Sequence, residues 1–319
     1  MVRLHRWLGI VLCIVVALWF LTGSVLSFVP FPLLDRQHRL AGSSDIDLGR
    51  VTVAPTVAMA IAAAPEAQPV RAVRLISSDG QPRYIVVRAD GGVAAVSAIT
   101  GQLLPLMDRT GATRVARTFS GDEIMRIAGP FELDQWTVHG GYWAARPYYR
   151  VRLADAAGTD VYVSARSGEV AQRTRRAERA WNYVGAVVHW INPVVLRRDY
   201  VLWRRVVWTL ALGGMVLALA GLWLGVWRWW QWRRLRRPGF TPFRGLRRWH
   251  HALGLGAGIL LLSWVTSGWL SLDNGWLFST GEVPVARQRD YRGITLEAAA
   301  AAFPIDVLRQ ASSARELQF

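Results

Sequence analysis

The sequence predicts a membrane α-helical protein of three spans, with an α+β region inserted after the first. Three observations predict it: long apolar blocks free of charge, a central stretch of quite different texture, and a repeat shared by two of the blocks. Leu8–Phe28, Val206–Trp227 and Ala252–Leu272 contain no charged residue. Each block holds about 21 residues, enough for a helix to cross a hydrocarbon core roughly 30 Å thick, and longer than most buried helices of soluble proteins. With 319 residues, 52% apolar and 19% charged, the chain has room for one membrane domain and one modest soluble domain.

The first span occupies residues 1–30. Its apolar run is too long for a secretory signal, and Ser27-Phe28-Val29-Pro30 offers no small-x-small cleavage site, so it reads as an uncleaved anchor. The single cysteine, Cys13, lies inside it and leaves no disulfide framework. Residues 45–110 and 115–175 read as two small α+β units. Val96-Ser-Ala-Ile-Thr-Gly101-Gln-Leu recurs as Val163-Ser-Ala-Arg-Ser-Gly168-Glu-Val, and each glycine suits a tight turn at positive φ. Val57–Ala64 and Asp122–Ala128 are the expected helices, each laid on an antiparallel sheet punctuated by Asp79-Gly80, Asp90-Gly91-Gly92 and Ala157-Gly158. Residues 180–228 combine an interfacial aromatic segment (Trp181, Tyr183, Trp190) with the second span. An Arg-rich loop over 229–249 leads to the third span, 250–272. In the tail, 273–319, Thr295–Ala302 resembles the opening helix of a third unit, which is either degenerate or cut short before a fourth span.

The net charge of +16 does not indicate a nucleic-acid partner. All 38 basic residues are arginine, which looks like coding bias, and they gather at the membrane edges. Eight lie between Arg228 and Arg248, in a short loop of the kind retained in the cytoplasm, and Arg3 and Arg6 put the N-terminus on the same side. The α+β region and the tail are then outward. Arg197, Arg198, Arg204 and Arg205, at the outer end of the second span, face either anionic headgroups or an acidic ligand, headgroups being the plainer reading.

Residues 5–23 and 250–268 align without a gap. His5-Arg-Trp-Leu-Gly9 with Trp19…Gly23 matches His250-His-Ala-Leu-Gly254 with Trp264…Gly268. Each copy opens with a histidine at the membrane edge. Both helices run outward, so His5 and His250 are expected at one level near the inner face.

These residues carry a family resemblance. His5-Arg-Trp-Leu-Gly9…Thr22-Gly23, the segment Glu178-Arg-Ala-Trp-Asn-Tyr-Val-Gly-Ala-Val-Val-His189-Trp, and Arg248-Trp-His-His-Ala-Leu-Gly254 resemble the PepSY-associated transmembrane helix family. The two outward units look like PepSY domains, down to the Thr/Ser-Gly-Gln/Glu turn. The resemblance implies an architecture similar to haem-containing ferric-siderophore reductases of bacterial inner membranes, with the PepSY-like units periplasmic. Such proteins carry four spans, against three here.

The residues argue for haem on their own account. Ionisable groups at membrane depth are costly and are candidates for function. A b-type haem needs a neutral imidazole on each side of its iron, which His5 and His250 can supply. His251 points about 100° further round the helix and is the alternative ligand. Gly9, Gly254, Gly256 and Gly258 allow close backbones or room for a macrocycle. His189 and His38 are a candidate outer pair for a second haem, although His38 also reads as a solvated loop residue. His139 reads as a surface turn residue. The plainer reading of the inner histidines is that they help arginine anchor helix ends. No CxxCH, dinucleotide fingerprint or HExxH helix is present, so electrons would come from a separate donor, a membrane quinol or a cytoplasmic reductase. The expected activity is electron transfer outward to a periplasmic ferric chelate. The alternatives are a non-enzymatic, membrane-anchored PepSY binding or regulatory module, and a truncated inactive relative.

Overall fold

The computed structural model describes residues 1–65, 68–236, 238–272, 283–284, 287, 290–291, 293–310 and 313–319. Arg237 of the Arg-rich loop and the first ten residues of the tail therefore lie outside the described residues. The chain forms two compact units: Met1–Pro30 with Tyr183–Glu282, and Phe31–Asn182 with Val283–Phe319.

The first unit is built on three long helices: α1 (Val2–Phe28), α7 (Tyr200–Arg234) and α8 (Leu246–Leu270). At 1.5 Å per residue each is longer than the roughly 30 Å of a hydrocarbon core. All three are apolar enough to cross a membrane, with mean hydropathy of 2.5, 2.0 and 1.5 over their most apolar windows. They bury little: Leu12 and Thr22 on α1, and His251, Gly258 and Val265 on α8. Ile14, Leu21, Leu253, Leu260 and Trp264 remain exposed, as suits helices whose solvent is lipid. α7 is the shared partner, and small residues let its neighbours come close. Gly213 meets Leu12 of α1, Gly214 meets Val265 of α8, and Gly258 of α8 meets Leu222. Asp199 caps α7 by accepting from the Leu202 amide at 2.9 Å.

The expected interfacial segment is a broken helix. A π-helical turn, Tyr183–Val187, lays Gly185 against Val25 and Leu26 of α1. A short helix, α6 (Val194–Arg197), then leads to α7, and the Arg197 guanidinium stacks 4.1 Å from the Trp203 ring centre. Trp181, Tyr183, Val184 and Val195 are exposed.

The second unit holds two four-stranded antiparallel sheets. In the first, β1 (Val70–Ser78), β2 (Gln81–Arg88) and β3 (Val93–Ser97) form a meander covered by α3 (Pro55–Ala63). In the second, β4 (Ile124–Phe131), β5 (Tyr148–Leu153), β6 (Asp160–Ser164) and β7 (Val170–Thr174) run in sequence order under α4 (Arg109–Ser120). The helix of this half therefore precedes the stretch expected to form it, and Asp122–Ala128 runs into strand β4 instead. Asp108 caps α4 through the Gly111 amide at 2.7 Å, and Gly121 ends it at φ 74°. Ala112, Val115 and Ala116 supply the stripe that packs on Val151, Val161 and Val163.

The repeated turns are closed in the same way in both halves. Ser97 Oγ accepts from the Ile99 and Thr100 amides, and Ser164 Oγ from the Arg166 and Ser167 amides. Gly101 and Gly168, at φ 71° and 75°, return the chain with amides bonded to the Ser97 and Ser164 carbonyls.

The described part of the tail builds onto the first sheet. α9 (Leu296–Ala301) packs on α3 and places Ala300 in the core with Val51 and Tyr84. α10 (Ile305–Arg309) lies by the turn Leu48–Arg50, and β8 (Glu316–Gln318) pairs antiparallel with Arg74–Ile76 of β1. Glu316, its side chain 2% exposed, sits 2.8 Å from Arg39, 2.9 Å from Arg74 and 3.0 Å from Arg36. Arg74 in turn pairs with Glu169 of the second repeated turn at 2.8 Å. One ionic knot thus joins both sheets, the short helix α2 (Arg36–Ala41) and the tail. α5 (Arg176–Asn182) closes the continuous part of this unit, with Arg179 paired to the buried Asp160 of β6 at 3.2 Å.

Candidate functional site

His5 lies near the start of α1 with its ring against Gly221 of α7. A Cβ at position 221 would stand 2.7 Å from His5 Cε1, too close for any side chain. With its proton on Nδ1, the ring donates to the Leu217 carbonyl oxygen, 3.3 Å away. That bond fixes the tautomer and leaves Nε2 as the lone-pair nitrogen, the form in which a histidine binds metal.

His250, at the start of α8, brings its ring centre to 6.1 Å from that of His5, with the planes inclined at 45°. An imidazole nitrogen bonds a metal at about 2.0–2.1 Å, so two rings on opposite sides of one ion have centres roughly 6 Å apart. Their planes are free to differ by any twist about the shared axis. A centre-to-centre distance of this size is the one two imidazoles would have if they held one ion between them. Nearer the middle of the helices the same pair of elements meets through Phe20 and Trp264, 5.1 Å between centres. Beside His250, a Cβ on Gly254 or Gly256 would meet nothing within 4 Å, whereas Gly258 is filled by Leu222 and Gly9 approaches Leu217. The first pair leaves room; the second pair serves packing.

His251 turns elsewhere. It is 7% exposed, and its Nε2 lies 3.0 Å from the Gly225 carbonyl oxygen of α7. The rings of Phe243 and Phe240 stand 5.3 and 6.2 Å from it. The two neighbouring histidines thus have different surroundings, and His250 is the one that meets His5.

His189 follows the π-helical turn and repeats the setting of His5. Its ring lies over Gly23 of α1, where a Cβ would stand 3.0 Å from Cε1. Its Nδ1 is 3.1 Å from the Trp19 carbonyl oxygen and 3.3 Å from Thr22 Oγ1, whose hydroxyl donates to the Leu18 carbonyl at 2.6 Å. Burial pushes this imidazole below its ordinary pKa, partly offset by the Trp19 carbonyl, which favours its uncharged form. In both cases a helix carbonyl anchors Nδ1 and the glycine four residues later makes room: Leu217 with Gly221, Trp19 with Gly23. The π turn shifts the helical phase that aims His189, as such turns often do at functional positions.

His38 belongs to the second unit and is exposed, its Nδ1 2.7 Å from Asp35 Oδ2. His139 packs edge-on against Phe31, 4.5 Å between centres, and precedes the turn Gly140–Tyr142. Among the described residues no group of three or more His, Cys, Asp or Glu gathers where it could hold a metal ion. The second unit also has a small open cleft, about 50 Å³, with Arg39, Ser78, Phe119, Glu169 and Arg315 in its wall.

Leu217, Gly221, Trp19 and Gly23 were not singled out from the sequence. A carbonyl has no sequence signature. Gly221 could have been found only by noticing that it and Gly225 fall at the depth of the third span's first turns. Comparison with protein families, with curated proteins and with solved structures finds no match to this chain.

Proposed function

We propose that the protein is a membrane electron-transfer protein in which His5 and His250 hold a b-type haem near the inner face. The observation that carries this reading is the 6.1 Å separation of their rings, with His5 Nδ1 anchored on the Leu217 carbonyl. When bound, the haem supplies a one-electron ferric/ferrous couple. The chain supplies the rest. Leu217 holds His5 in the tautomer that presents Nε2 and raises its basicity. Gly221 provides the space in which that ring is seated, and Gly254, one turn beyond His250 with nothing within 4 Å of its Cβ position, leaves room beside it. The surrounding apolar helices limit water, which tunes the potential of whatever iron is held there.

On the outer side, His189 presents a second neutral imidazole fixed in the same manner and serves a second haem or an exit point. Arginine at both ends of the inner loop supports an N-terminus inside and the PepSY-like α+β units outside, in the periplasm of a bacterial inner membrane. Electrons would then leave toward a periplasmic ferric chelate, making the protein a ferric-chelate reductase. A second reading, a PepSY-like binding module held at the membrane, is favoured by the cleft at Arg39 and Arg315.

The visible spectrum of the purified chain, loaded with haem and reduced, separates the two. Sharp bis-imidazole bands lost on His5→Ala or His250→Ala support electron transfer. Bands unchanged in both variants contradict it.

A further inference from the structure

Beside the inner histidine pair lies a polar group that haem ligation does not use. His251 is nine-tenths buried at the first turns of α8. Its Nε2–H donates to the Gly225 carbonyl at 3.0 Å, so its Nδ1 carries the lone pair, and that atom is buried without a hydrogen-bond partner. An acceptor so placed loses its bonds to water and gains none, a cost that a ligand hydroxyl would relieve.

The walls around it are aromatic. Phe243 stands edge-on to the imidazole at 5.3 Å and Phe240 at 6.2 Å, and Phe240 is itself half exposed. Both come from the segment between Gly239 and Gly245, two glycines at φ 88° and 60°. Positive φ at each end lets this short segment turn sharply over His251. Phe240, half exposed, is the wall of this place that faces outward.

We infer that His251, Phe240 and Phe243 form a binding site for the ring of a membrane quinol. Its hydroxyl donates to His251 Nδ1, and its face lies against the two phenylalanines, which part to admit it. A hydroxylated aromatic ring on a lipid-soluble tail satisfies the orphan acceptor, the aromatic walls and the membrane depth together. A carboxylate would bring an acceptor to an acceptor. As electron donor the quinol rests on the electron-transfer reading above. On that reading the quinol would lose two electrons and two protons to become the quinone, the electrons passing singly by way of the group held by His5 and His250 to two equivalents of the ferric chelate, and the protons to water at the inner face. Binding itself does not depend on that reading.

The test is calorimetric titration of the full chain in lipid nanodiscs, without haem, using duroquinol kept reduced and, in parallel, its dimethyl ether. The ether has the same ring and no hydroxyl to donate. Duroquinol is expected to bind saturably and the ether about tenfold or more weakly. His251→Phe should remove that difference, and Phe243→Ala should weaken both ligands. Equal binding of quinol and ether to the unaltered chain, or no binding of the quinol, overturns the inference whatever the variants do. A chain that gives bis-imidazole haem bands and still ignores duroquinol loses this site and keeps the electron-transfer reading.

Discussion

Position 221 shows how much a single hydrogen atom in place of a methyl group can decide. The Cβ of Gly221→Ala would lie 2.7 Å from His5 Cε1, inside van der Waals contact, and the ring must turn or the helices must part. Overpacking of this kind costs about 1–3 kcal/mol. Gly221→Ala is therefore expected to lower haem affinity by roughly tenfold or more while leaving the helices formed, as read by haem titration beside circular dichroism. An unchanged affinity would mean that His5 is not held as described. Gly23→Ala, with its Cβ 3.0 Å from His189 Cε1, should disturb only the outer imidazole. The histidines themselves were legible because the repeat places His5 and His250 in one register. Their supports were not, since Leu217 and Trp19 act through backbone oxygens that any residue carries. The choice between His250 and His251 depended on which way α8 is rotated against α7, which a pattern of apolar residues in lipid, exposed nearly all round, does not define.

At the scale of elements, the three long helices followed directly from charge-free length. Both antiparallel sheets followed from alternation and turn residues. Two features did not follow. The second helix is Arg109–Ser120, bounded by Asp108 and Gly121, while the stretch expected to be helical pairs with β5. Its cap and its closing glycine are both visible in the sequence, and its apolar stripe is made of alanines, which signal weakly. The end of the tail is the other: the helix expected over Thr295–Ala302 is present as Leu296–Ala301, but the strand that follows was not expected. A strand as short as β8 has no pattern to recognise, and its place is set by Glu316, a charge that finds three arginines from distant parts of the chain. Burial raises the Glu316 carboxyl, but the pairs with Arg39 and Arg74 outweigh it, and its pKa is held below the ordinary carboxylate value. The sign follows from linkage: the depressed group stabilises the docked tail at neutral pH, and that contribution is lost as pH falls through its folded-state value. Amide hydrogen exchange at 316–318 should accelerate on acidification. Glu316→Gln should speed it at pH 7 by an amount reflecting about 1–3 kcal/mol, because Arg39 and Arg74 each lose one of two carboxylate partners and keep Glu169, and should flatten the acid response. Exchange at those amides that is slow and independent of pH in both proteins would contradict this.

For the whole molecule, the orientation proposed from the arginine distribution can be checked without any cofactor. In a Cys13→Ser background, cysteine introduced at Ser120, at the end of α4, should react with a membrane-impermeant thiol reagent added to intact cells. Cysteine at Thr241, in the inner loop, should react only after lysis. The reverse pattern would invert every statement about inner and outer faces. The central claim is that two imidazoles from separate spans share one iron. It is tested most directly by haem-to-protein stoichiometry and the reduced visible spectrum of the unaltered chain beside His5→Ala, His250→Ala and His251→Ala. The expected result is sharp bis-imidazole bands in the unaltered and His251→Ala proteins, and loss of those bands in each of the other two. If the bands persist without His5 or without His250, or if a chain saturated with haem never shows them, the account is contradicted.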